Sequence, residues 1–197
     1  MYNVVGLGNP DEKYTGTRHN VGRMLVQQFA ADFSFPEWKN DKNARARVTS
    51  GEVEHCPVKL LLPETFMNHS GETVTYIHKK YEAEISKIIV VFDDINLPIG
   101  TLRISHNRGD GGHNGIRSII AGLGSKEFIQ IRIGIAPVSF WTGAIKRPQG
   151  GVQISQFVLG YFSRGEQTKI EKIKPNVFAA FTTIISVGVE KAMNTYN

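Results

Sequence analysis

The sequence predicts an α/β fold, a single three-layer domain with a β-sheet between two sets of helices. Short apolar runs of strand character alternate with segments of helical periodicity along the chain, the pattern of strands wrapped by helices. One run, Ile-Ile-Val-Val-Phe at 88–92, is continuously apolar and mostly β-branched, as in a parallel strand buried on both faces. At 197 residues, without an internal repeat or a low-complexity linker, the chain is the size of one domain with a substantial core.

Tyr2 to Leu7 reads as a buried opening strand. Val21, Leu25, Phe29 and Phe33 recur at every fourth position and predict a helix with one face toward the core. Residues 45–53 and 58–62 read as two strands separated by a turn at His55-Cys56-Pro57. A helix is expected from about Ile116, with Ile116, Ile119, Ile120 and Leu123 on one face. Residues 129–135 repeat the buried-strand pattern. Ile170, Ile173, Val177, Phe181, Ile184 and Ile185 outline a helical segment from Gln167 to Met193. Pro175 is expected to break or restart it, because proline lacks the amide donor and clashes with the preceding turn.

Composition narrows the function classes. The 41% hydrophobic and 21% charged content is that of an ordinary soluble domain. No apolar run approaches the ~20 residues of a membrane span, so no membrane partner is expected. The chain opens as a strand, not as a basic and then apolar signal stretch. Cys56 is the only cysteine, which excludes an intrachain disulfide and a Cys-rich zinc site. A cytoplasmic setting fits these facts. The 23 Lys and Arg exceed the 18 Asp and Glu, an excess that permits a polyanionic partner. The bunched cations Lys39, Lys42, Arg45 and Arg47, then Arg103, Arg108 and Arg117, then Lys146 and Arg147 each read most simply as solvated faces.

The richest segment is 8–22, which follows the opening strand and precedes a helix. It offers Asn9, Tyr14, Arg18, His19 and Asn20 at the kind of strand-end loop where α/β proteins bind ligands. Without a nucleophilic Ser or Cys at its centre, it suggests hydrolysis by a water held in a polar cage. Three further polar segments follow strands or open helices: 65–71, 93–100 and the glycine-rich 108–115. Gly6-Leu7-Gly8 opens like a dinucleotide fingerprint, but Asp11 stands at the third glycine position, so a nicotinamide site is rejected. His19, His55, His69, His78, His106 and His113 are scattered without paired-ligand spacing, so neither a metal nor another cofactor is expected.

Six blocks then agree in order: GLGNPDEKYTGTRHNVG (6–22), PETFMNHSG (63–71), VVFDDINLPIG (90–100), GDGGHNGIRSI (109–119), IRIGIAP (131–137) and FVLG (157–160). Together they resemble bacterial-type peptidyl-tRNA hydrolases, and several ordered blocks are far more specific than one motif. The resemblance implies a monomeric α/β fold with a mixed, twisted sheet. It implies hydrolysis of the ester between a peptide and the 3′ end of tRNA, with His19 as catalytic base and Asp93 as its carboxylate. It places Asn9, Asn68 and Asn114 against the substrate and a phosphate-binding pair on the strand after Gly100 and on 129–135. Arg132 fits the second of these positions. Ser105 occupies the first, where the family commonly has lysine, leaving Arg103 or Arg108 as substitutes. Asp11 replaces a usual glycine, and the lid-like segment 138–156 is longer than usual.

The chemistry of the residues points the same way. A histidine with an ordinary pKa near ~6.5 is the natural base for water at neutral pH, and a carboxylate would hold its tautomer and its developing charge. Standing alone, His19 would read as a helix-start histidine and Asp93 as an N-cap or turn residue; Asp94 fits that turn role better. Asparagine amides offer donors and acceptors to groups common to all peptides. Tyr14 and Met67 are expected to line the cleft. The glycines around Gly112 let backbone approach a ligand at a helix start, where His113 either contacts the acceptor end or caps the helix. A protein that kept RNA binding but lost catalysis is the rival from another class, and a hydrolase of some other acyl ester is the second.

Overall fold

The structure is a computed structural model describing residues 1–139 and 141–197. Apolar strands build its centre. β1 (Tyr2–Gly6) lies between β4 (Cys56–Pro63) and β5 (Ile88–Pro98), parallel to both, and β7 (Ile129–Ala136) pairs in parallel with β5. On one flank β2 (Lys39–Asp41) and β3 (Ala46–Val53) add antiparallel strands, and β6 (Leu102–His106) does so on the other. The described residues thus form one mixed seven-stranded sheet, ordered β2-β3-β4-β1-β5-β7-β6.

Alternation along the strands divides the core into two layers. Val4, Ile89 and Val91 point to one face, with Leu25 and Phe29 of α1 (Val21–Asp32) and Val177 and Phe181 of α5 (Arg164–Ser186). Val5, Ile88 and Val90 point to the other, with Val74 and Ile77 of α2 (Ser70–Lys80) and Ile116 and Ile119 of α3 (Asn114–Leu123). The three-layer α/β expectation is met. The chain leaves β1 toward one flank and later returns to β5 on its other side, so β1 and β5 flank a topological switch point, the usual place for a site.

Three local expectations are corrected. The hairpin between β3 and β4 turns at Glu54-His55, both at positive φ, while Cys56 and Pro57 already lie in β4. Pro57 is tolerated because β1 begins opposite the next residue, Val58, and needs nothing from its missing amide. Pro175 neither breaks nor restarts its helix: α5 runs unbroken through it. Pro175 is exposed, so water can meet the carbonyl that loses its partner. The chain instead breaks at Gly188, before α6 (Val189–Tyr196). β7 is buried on both faces, as its pattern predicts, with Gln130 and Arg132 on the face opposite Ile129, Ile131 and Ile133. In the 138–156 segment, position 140 lies outside the described residues, and α4 (Gly151–Val158) occupies the end that was expected to be loop. Among the described residues, no helix is long and apolar enough to cross a membrane.

Candidate active site

His19 lies in a 3₁₀ turn, Arg18–Asn20, that leads from the loop after β1 into α1. The turn sits hard against the sheet because the second residue of α1 is glycine: a Cβ on Gly22 would lie 2.0 Å from the Val91 carbonyl oxygen. Asp93 extends from β5, which keeps strand geometry past its apolar run. His113 ends the glycine-rich loop and N-caps α3.

These three side chains converge. Asp93 Oδ1 accepts from His19 Nδ1 at 2.8 Å and from His113 Nε2 at 3.0 Å. The two rings lie 5.0 Å apart between centroids. The hydrogen bonds assign the tautomers. His113 Nδ1 accepts from the Ile116 amide at 3.3 Å, so its ring proton sits on Nε2 and faces Asp93. His19 gives its Nδ1 proton to the same oxygen, which leaves Nε2 as the basic nitrogen in the cleft.

Electrostatics follows from burial and pairing. Burial opposes charge on His19, but the Asp93 carboxylate and its hydrogen bond outweigh it and raise the pKa above that of an ordinary histidine. Burial alone would raise the Asp93 pKa; the imidazoles, His19 foremost, instead hold the carboxyl well below its usual range. Asp93 therefore stays ionised throughout the neutral range.

The amides take distinct places. Asn9 is buried, and its backbone is bracketed by Asn20, whose Oδ1 accepts from Asn9 N–H at 2.9 Å while Nδ2 donates to the Asn9 carbonyl at 3.0 Å. Asn9 Oδ1 accepts from the Met67 amide at 2.9 Å, so its NH₂ group is left to donate into the cleft. Met67 is buried in the wall, held through its carbonyl by Ser70 Oγ at 2.8 Å. Asn68 and Asn114 stand exposed on the rim, and Gly112, at φ 87°, lies beside them in the loop. Tyr14 is half-buried in its own turn and does not line the cleft.

The cleft holds about 600 Å³. At one end Arg132 pairs with Asp94 Oδ2 at 2.9 Å, and Asp94 Oδ1 accepts from the backbone and side-chain nitrogens of Asn96. Asp94 is thus both a turn residue and the counter-ion of Arg132. Burial and then the neighbouring Arg108 charge lower the Arg132 pKa, which marks a crowded cationic corner. Arg108 lines this corner. Arg103 faces Arg132 in the β6–β7 register, but it is exposed, donates to the Asn197 carbonyl at 2.7 Å and stays outside the cleft wall. Ser105 stands opposite Gln130 in the same register.

Sequence reasoning missed three things here. His113 shares Asp93 with His19, so the histidines are not all scattered: ligand-capable atoms of His19, Asp93 and His113 fall within 4.8 Å of one another. That trio fits a proton-holding network better than a metal, because the His113 nitrogen facing Asp93 must keep its proton while Nδ1 caps α3. Asn20 and Arg18 also act as supports. Their signal lay in the 6–22 block, where both flank His19. The apolar part of the cleft, Phe66, Ile95, Ile154 and Val158, carries no local motif.

A buried histidine–carboxylate pair, with amides around it, thus lies at the strand ends of an α/β sheet, where enzymes of this class of fold carry their sites. The chain belongs to the peptidyl-tRNA hydrolase family, whose profile matches residues 3–197. It is 38% identical to the peptidyl-tRNA hydrolase of Agathobacter rectalis, covering 100% of both chains. It is 35% identical to that of Syntrophotalea carbinolica, covering 98% of this chain and 95% of that one. The crystal structure of peptidyl-tRNA hydrolase from Acinetobacter baumannii superposes with a TM-score of 0.90 at 31% identity, covering 100% of this chain and 94% of that one.

Proposed function

We propose that this chain hydrolyses the ester joining a peptide to the 3′ end of tRNA, with His19 as general base. The observation that carries the mechanism is the His19 Nδ1–Asp93 contact at 2.8 Å, which leaves Nε2 directed to the cleft as an imidazole of raised basicity. Nε2 takes a proton from water as the oxygen attacks the ester carbonyl carbon. Asp93 stabilises the imidazolium so formed. The tetrahedral oxyanion then collapses, the bond to the ribose oxygen breaks, and His19 returns its proton to that oxygen. One water yields one carboxylic acid and one free tRNA hydroxyl. A positioned base of this kind contributes roughly 10²–10⁴-fold.

The Asn9 NH₂, with its carbonyl already engaged, suits the developing oxyanion or the ester carbonyl. Met67 and Gly112 shape the cleft around the ester, and Asn68 and Asn114 meet the peptide backbone from the rim. His113 holds Asp93 in place. Arg108 and Arg132 face tRNA phosphate, with Arg103 on the adjoining surface. The whole chain acts as one domain and as a monomer in the cytoplasm, with the 138–156 region as a lid-like border of the cleft.

The test is release of N-acetyl-aminoacyl groups from tRNA by the parent protein and by His19→Ala. Turnover should fall at least ~10²-fold in the variant while tRNA binding persists. Binding without turnover in the parent would overturn the hydrolase and favour an RNA-binding protein. Cleavage of simple acyl esters but not of acylated tRNA would favour another esterase.

A further inference from the structure

Arg18 precedes the proposed base, yet its guanidinium turns away from the ester site and into the joint between α4 and α5. α4 forms one wall of the cleft through Ile154, Ser155 and Val158. At its carboxyl end Arg18 Nη1 donates to the Phe157 carbonyl at 3.2 Å, and Nη2 pairs with Glu166 Oε2 at 2.9 Å. The guanidinium carbon lies 4.4 Å from the Phe157 ring centroid and 5.6 Å from that of Phe162. The Arg18 and Glu166 side chains are only 13% and 17% exposed, so the pair is largely shielded from water.

The backbone repeats this join. Arg18 N–H donates to the Gly160 carbonyl at 3.0 Å, Thr17 bridges to Tyr161, and the Tyr161 hydroxyl donates to the Lys13 carbonyl at 3.0 Å. A Cβ on Gly160 would lie 2.9 Å from Arg18 Nη1, so a side chain there would displace the guanidinium. Glu166 also closes the capping box that starts α5. A single guanidinium therefore ties three things together: the turn bearing His19, the end of the cleft wall and the start of the longest helix.

We propose that Arg18 is a positioning residue for the hydrolysis, a proposal that rests on the reading of His19 as base. It rivets α4 to the His19 turn, so the width of the cleft and the place of the base are set together. Asp93 orients the imidazole from the sheet side, and Arg18 fixes the opposite wall against which the ester must lie. Small displacements of such a wall matter, because misplacing reacting groups by about 1 Å costs roughly 10²-fold in rate.

Three variants test this: Arg18→Gln, Arg18→Lys and Glu166→Gln. The last removes the charge but keeps a side chain able to close the capping box. In single-turnover cleavage of N-acetyl-aminoacyl-tRNA, with each protein shown folded by circular dichroism, Arg18→Gln should be slower by ~10-fold or more. Its acid limb in the pH–rate profile should not move, since His19 and Asp93 are untouched, and Arg18→Lys should recover part of the rate. Amide hydrogen exchange across 151–158 should accelerate in Arg18→Gln and Glu166→Gln while β1 and β5 keep their protection. A merely structural role would lower the melting temperature and leave the rate per folded molecule unchanged. A folded Arg18→Gln within two-fold of the parent rate, or unchanged exchange at α4, overturns the proposal. If Arg18→Gln does not fold, the other two variants decide by the same readouts. If the parent does not cleave acylated tRNA, the hydrolase reading falls, and exchange at α4 alone judges the rivet.

Discussion

At Asp93, two imidazole N–H groups meet one carboxylate oxygen that water scarcely reaches. Replacing it with asparagine keeps the shape but removes the charge that lifts the His19 pKa, leaving burial to act alone. The acid limb of the pH–rate profile should therefore move to lower pH in Asp93→Asn, while the maximal rate falls by about 10²-fold or more; a limb that stays put would separate His19 from Asp93. Stability carries the same linkage. The depressed Asp93 pKa contributes stabilisation above its unfolded value near ~3.9, lost as pH falls through the native value. The raised His19 pKa contributes below ~6.5, lost as pH rises through the native value. Urea unfolding between pH 2 and 5 should show a weaker pH dependence in Asp93→Asn than in the parent. His19 and Asp93 were legible in the sequence because each sits in its own recognisable block. The role of His113 was not: whether it capped the helix or faced the ligand depended on where β5 would place a carboxylate 20 residues away, and it does the first while bonding that carboxylate.

Packing governs the next scale. Phe29 is fully buried, with Phe178 and Phe181 at 5.3 and 5.0 Å in edge-on contact. Phe29→Ala should lower the unfolding free energy by about 3–5 kcal/mol in chemical denaturation, through lost burial and the cavity left behind. Phe33, assigned to the same apolar stripe, lies just past the end of α1 and is 41% exposed, because the helix stops one residue before it. Pro175 offers the opposite test. It interrupts the hydrogen bonding of α5 on an exposed face, so Pro175→Ala should stabilise the fold by about 1–3 kcal/mol in the same experiment. The stripe of α5 was legible because burial repeats every three to four residues. That the helix survives its proline was not, since its survival depends on the solvent around one carbonyl. The same holds for Glu54-His55: antiparallel pairing with Glu52 and Val53 of β3, not local turn preference, moved Cys56 and Pro57 into the strand.

For the whole molecule, charge placement outweighs net charge. An excess of five positive charges is modest, but Arg108 and Arg132 gather at one end of the cleft with Asp94 as the paired counter-ion of Arg132. Arg108→Ala should weaken tRNA binding and flatten the plot of log affinity against log salt by about 0.7–0.9 if it meets one phosphate; titrations at several salt concentrations read this directly. The α/β class, the central strands, the core-facing helix stripes and the blocks that mark the family were all readable from the residues, because each is written in short-range periodicity or contiguous positions. Folding alone brings one Asp93 oxygen to two histidines, sets Asp94 against Arg132 and lets Arg18 tie α4 to the His19 turn. Those contacts join residues 20 to 148 positions apart, and chain separation carries no information about which polar atoms meet once two core layers have closed around one sheet.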